Sequence, residues 1–170
     1  ATWWFPNDAV GGDYCDVIPL PSGEVVLCVA DVSGHGLGPS LLMASVRAAL
    51  RTLILSHTSP QELLEKLGVA LADDFEHGSF ITMCLTKLTP QRHELTFANA
   101  GHAPALVYQA AGGGFVELES TGVPLGVIVP TDYPLGPAVT MQPGDLMVLA
   151  TDGIVESFDR HGVQFGVERL

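Results

Sequence analysis

Hydrophobic positions change their period twice along this chain. Over residues 24–30 (EVVLCVA) they run almost unbroken, β-branched and free of Pro and Gly, the pattern of a strand buried on both faces, and the run ends at Asp31. After Gly34, Gly36 and Gly38, the apolar residues Leu42, Val46, Ala49, Leu50 and Leu53 recur at helical spacing, with Pro39 suited to a first turn. This predicts a helix ending near His57. Ser59-Pro60-Gln61-Glu62 reads as a capping box with Pro at the first helical position. It opens a second helix, whose stripe is Leu63, Leu64, Leu67, Ala70 and Leu71. From Phe80 the period shortens. FITMCLTKL, HELTFANA, APALVYQ and GFVELE are strand-like runs parted by turns such as Thr89-Pro90 and Gly112-Gly113-Gly114, which predicts an antiparallel meander. Residues 121–137 are Pro- and Gly-rich, a loop with a short strand. Pro143-Gly144-Asp145 then turns the chain into a second continuous apolar strand over 146–150, which ends at Thr151-Asp152-Gly153. Strands, two helices and more strands, without a repeat or a low-complexity linker, predict an α+β layered domain.

Composition narrows the function classes. At 170 residues and 47% hydrophobic, the chain has material for one packed domain, 1–170, and too little for two. Nineteen Asp and Glu against seven Lys and Arg leave a net charge of −12, which repels nucleic acid and anionic membrane surfaces alike. Cys15, Cys28 and Cys84 are far apart and sit in apolar runs, so they are expected to be reduced core residues. No stretch of about 18 apolar residues could span a bilayer, and no secretory leader pattern opens the chain, so the expected location is cytoplasmic. Trp3-Trp4 and Met43 read as packing residues. The chain opens on Ala1 and stops at Leu170 where a helix is starting, so the domain is expected to be truncated at its C-terminus.

Two strands expected to be buried run straight into an aspartate followed by small or flexible residues: Ala30-Asp31-Val32-Ser33-Gly34 and Ala150-Thr151-Asp152-Gly153. A stiff strand holds its terminal carboxylate accurately, and the glycine lets a backbone carbonyl or ligand approach. Asp13, after Gly11-Gly12, is a third carboxylate of this kind. Three such groups near a core repel one another unless cations lie between them, and an all-oxygen set favours magnesium or manganese over zinc. For any single Asp, a turn or helix-cap role is the commoner explanation. His35 and His102, each beside glycine, stand equally as exposed or hydrogen-bonding histidines. No Cys-x5-Arg run appears, which rejects a cysteine-dependent phosphatase.

At these residues the chain resembles a known family. Gly11-Gly12-Asp13-Tyr14-Cys15-Asp16, Ala30-Asp31-Val32-Ser33-Gly34-His35-Gly36, Asn99-Ala100-Gly101-His102, Pro143-Gly144-Asp145, Thr151-Asp152-Gly153-Ile154-Val155-Glu156 and Phe165-Gly166 follow one another as do the motifs of SpoIIE-type bacterial phosphatases. These belong to the PPM, or type 2C, class of metal-dependent serine/threonine phosphatases. The resemblance implies an α-β-β-α sandwich of two antiparallel β-sheets flanked by helices, with two divalent cations, manganese or magnesium, at one edge. It implies that Asp31 bridges the cations, that Asp13 and the Val32 carbonyl serve one and Asp152 the other, and that Gly12, Gly34, His35, Asn99 and Gly153 lie near the site. Most type 2C relatives carry Gly where Val32 stands, a departure of little weight because only the carbonyl is used. The implied activity is hydrolysis of phosphoserine or phosphothreonine, without a covalent enzyme intermediate. The implied substrate is an anti-sigma-factor antagonist in partner switching, and a sensor or receiver domain is expected N-terminal to the chain. Relatives continue past a Phe-Gly-x-x-Arg/Lys-Leu segment to an Asp-Asp that completes one cation site. The alternatives are a catalytically silent phosphoprotein-binding module of the same fold and a hydrolase of small phosphate esters.

Overall fold

The computed structural model describes residues 11–75, 78–166 and 169. The Trp3-Trp4 pair lies outside them. A five-stranded antiparallel sheet runs in the order β1 (Asp13–Pro19), β2 (Val25–Val32), β3 (Ile81–Thr89), β4 (Glu94–Ala100) and β7 (Val139–Thr140). A smaller one places β5 (Ala105–Gln109) between β6 (Gly114–Leu118) and β8 (Leu146–Val148). Between β2 and β3 the chain forms α1 (Leu37–Leu53) and α2 (Pro60–Ala70), and after β8 the one-turn helix α3 (Asp152–Val155).

Two cores hold the layers together, as strand alternation requires. One face of β2 turns Val26, Cys28, Ala30 and Val32 toward Met43, Val46 and Leu50 of α1 and Leu63, Leu64 and Leu67 of α2. The opposite face turns Val29 of β2, Cys84 of β3 and Leu95 and Phe97 of β4 toward Ala105, Val107 and Leu118 of the smaller sheet. β2, an inner strand of this α-β-β arrangement, is therefore covered on both sides, as its unbroken apolar run predicts. Met43 is a core residue.

The structure corrects four expectations. The strand after the Pro-Gly-Asp turn is three residues long and, among the described residues, paired only with β5; its outer face is open, and Leu146 on it is 62% exposed. Cys15 is exposed, because it lies on β1, an edge strand among the described residues. The Ser59 side chain makes no capping hydrogen bond to α2, although Pro60 occupies the first turn. The Glu62 carboxylate of the expected capping box instead lies 3.8 Å from His57 Nδ1. Finally, α1 ends at Leu53 rather than near His57. Its last turn is tied to β1 by Arg51, which donates from Nε and Nη2 to the two carboxylate oxygens of Asp16, each at 2.8 Å.

Candidate metal centre

Asp13 and Asp31 are direct partners in the β1–β2 register, so their side chains leave the same face of the five-stranded sheet side by side. Both belong to the end of the sheet where β2 runs into the glycine-containing turn before α1. That turn holds Gly34 at φ +92° and Gly36 at φ +91°, a region glycine enters without strain. His35 between them is exposed, as is Gly34. From the smaller sheet, the chain leaving β8 enters α3 at Asp152, with Gly153 next to it, both exposed. The Thr151 hydroxyl donates to Asp13 Oδ2 at 3.0 Å and joins this segment to β1.

Like-charge repulsion couples Asp31 to both other aspartates. Burial, then the charges of Asp13 and Asp152 and a hydrogen bond with Asp13, push the Asp31 carboxyl up to about 7, against the opposing Val32 amide. Gly12 leaves space beside this carboxyl. A Cβ there would stand 3.1 Å from the Val32 carbonyl oxygen and 3.5 Å from Asp31 Oδ1, so two oxygen donors border one small gap. Among the described residues, no three His, Cys, Asp or Glu side chains close around a common point. Asp13 and Asp31 adjoin, while Asp152 acts on Asp31 through its charge. The donor set is all oxygen and mutually repelling, which fits hard divalent cations.

The residues of Asn99-Ala100-Gly101-His102 are placed differently. Asn99 is fully buried, and its side chain shapes a turn: Oδ1 accepts from the His102 amide at 2.8 Å, and Nδ2 donates to the carbonyls of His102 at 3.1 Å and Leu118 at 3.2 Å. His102, left open by the sequence reading, is buried at 6% exposure. Its Nδ1 lies 2.8 Å from Thr82 Oγ1 and its Nε2 3.1 Å from the Ala150 carbonyl. Burial pulls its pKa down, against the Ala150 carbonyl and the charges of Asp152 and Asp13.

A family model described as stage II sporulation protein E matches residues 21–170. The chain belongs to the SpoIIE family. Phosphoserine phosphatase RsbU of Bacillus subtilis (strain 168) is 28% identical over 157 residues, 92% of this chain and 46% of that protein. The SiaA-PP2C domain of Pseudomonas aeruginosa superposes with a TM-score of 0.83 at 26% identity, covering 98% of this chain and 66% of that one. The RsbU and RsbW domains of a Mycobacterium tuberculosis protein give a TM-score of 0.77 at 30% identity, covering 91% of this chain and 42% of that one. This SpoIIE-family chain thus spans less than half of the curated relative it matches. Its two packed antiparallel sheets are those of the PP2C-type fold. The matched segment starts after Asp13, whose place in the group rests on the β1–β2 register.

Proposed function

We propose that this chain is a metal-dependent protein phosphatase domain that hydrolyses phosphoserine or phosphothreonine on a regulatory protein. The observation that carries the reading is the pairing of Asp13 with Asp31 across β1 and β2, with Asp152 close enough to raise the Asp31 pKa further. Asp13, Asp31, the Val32 carbonyl and Asp152 would hold two divalent cations, magnesium or manganese. When bound, such cations acidify a water molecule and neutralise phosphoryl oxygens. The chain's own part is to hold the donors still: Asp13 and Asp31 sit on paired strands, Gly12 keeps the gap beside them clear, and Thr151 orients Asp13.

The similarity to a phosphoserine phosphatase supports phosphoserine as the group hydrolysed. The motif resemblance adds the proposal of a partner-switching role, with an anti-sigma-factor antagonist as substrate and a sensor or receiver domain N-terminal to the phosphatase. Among the described residues no helix is long and apolar enough to cross a membrane. A cytoplasmic setting is part of the same proposal. A catalytically silent phosphoprotein-binding module is the second reading, favoured by the absence of three converging ligand side chains among the described residues.

Hydrolysis of a phosphoserine peptide across a manganese titration separates them. The phosphatase reading expects turnover that rises with manganese and is lost in Asp31→Asn. Peptide binding without turnover at any manganese concentration supports the silent module.

A further inference from the structure

The candidate centre is assembled from two sheets. Asp13 and Asp31 belong to the five-stranded sheet, whereas Asp152 follows β8 of the smaller one, so their separation depends on how the sheets are fixed to each other at this edge. The Thr151 hydroxyl spans the junction by donating directly to a proposed ligand, Asp13 Oδ2. His102 spans it without touching any proposed ligand atom.

We propose that His102 is the positioning residue that sets the spacing between the two halves of the cation centre. The inference rests on the reading of the aspartates as cation ligands. One ring nitrogen is anchored to Thr82, the register partner of Asp31, and the other to the Ala150 carbonyl, two residues before Asp152. Ala150 offers only a carbonyl oxygen, so Nε2 carries the proton and donates. Nδ1 is then the acceptor, and the single proton of the Thr82 hydroxyl goes to it at 2.8 Å rather than to the Asp31 carbonyl at 3.5 Å. The ring is a rigid spacer of fixed length between the sheets. Its own position is set by Asn99, which accepts from the His102 amide and donates to the His102 carbonyl. Partners hydrogen-bonded directly to a metal ligand typically change metal affinity about 10–100-fold when removed, and a spacer acting through its neighbours is expected at the lower end of that range.

The test is manganese binding by calorimetry to the wild-type protein and to His102→Leu, His102→Gln and Thr82→Val, alongside thermal melts and imidazole 15N spectra of the cation-free wild type. Leucine fills the space without a hydrogen bond, and glutamine places an N–H where Nε2 stands. The inference expects folded His102→Leu and Thr82→Val proteins that bind manganese at least about tenfold more weakly, with His102→Gln recovering most of the affinity. The 15N spectrum should show the neutral Nε2–H tautomer. Wild-type affinity in a folded His102→Leu or Thr82→Val protein overturns the inference, as does the Nδ1–H tautomer. Should His102→Leu fail to fold, Thr82→Val and the tautomer decide. A wild type that binds no cation overturns the proposed function and this inference together, whereas equal binding in all four proteins overturns only the inference.

Discussion

Asp31 lies opposite Asp13, and its carboxyl is raised from 3.8 to about 7 by burial first and by the charges of Asp13 and Asp152 next. In the absence of cations, the folded protein therefore keeps a proton on Asp31 that the unfolded chain gives up near pH 4. The stability linked to this proton is complete below about pH 4 and is lost as the pH rises through about 7. His102, lowered chiefly by burial, works in the opposite direction below about pH 6.5, but equally in wild type and an Asp31 variant. With EDTA present, the melting temperature of Asp31→Asn should thus gain on that of wild type between about pH 5 and 7 and level off above. A constant difference would show that Asp31 is ordinary in the fold. Gly12 gives a second residue-scale prediction. Its Ala variant places a methyl against the Val32 carbonyl and Asp31 Oδ1, so on the proposed cation-binding reading manganese affinity should drop by roughly tenfold while the melt stays cooperative.

At the scale of elements, α2 is held by its buried stripe rather than by its cap. Leu67 is fully buried against the five-stranded sheet, and Leu67→Ala should cost about 3 kcal/mol in urea unfolding. Leu55, 84% exposed just past α1, should tolerate Ala within about 0.5 kcal/mol. Ser59 makes no side-chain bond to the helix, so Ser59→Ala should cost less than the roughly 1 kcal/mol of a formed N-cap. A full cap-sized loss would mean that the hydroxyl caps the helix in solution.

At the scale of the whole molecule, the charge of −12 shapes encounter more than stability. On the proposed function, a phosphorylated substrate adds negative charge, so a productive partner is expected to offer a basic patch, and kcat/KM toward it should fall as salt is raised from about 50 to 300 mM. A rise with salt would mean that long-range repulsion dominates the encounter.

Much of this protein was legible in the order of its residues. The apolar run over β2, the helical stripe from Leu42 to Leu53 and the strand-like runs after Phe80 each have a local period, and period follows from backbone geometry. Asp31 and Asp152 stood out because each follows an apolar strand, which is also local. The pairing of Asp13 with Asp31 depends on register, and register is a property of two strands. The exposure of Cys15 and Leu146 depends on which strands are edges, a matter of sheet order that no single run encodes. His102 had only a neighbouring glycine to mark it, and its partners Thr82 and Ala150 lie 20 and 48 residues away. Local sequence thus determined the elements and their candidate ligands. Only packing decided which carboxylates meet and which histidine bridges Thr82 and Ala150 beside them, because these contacts join segments far apart along the chain.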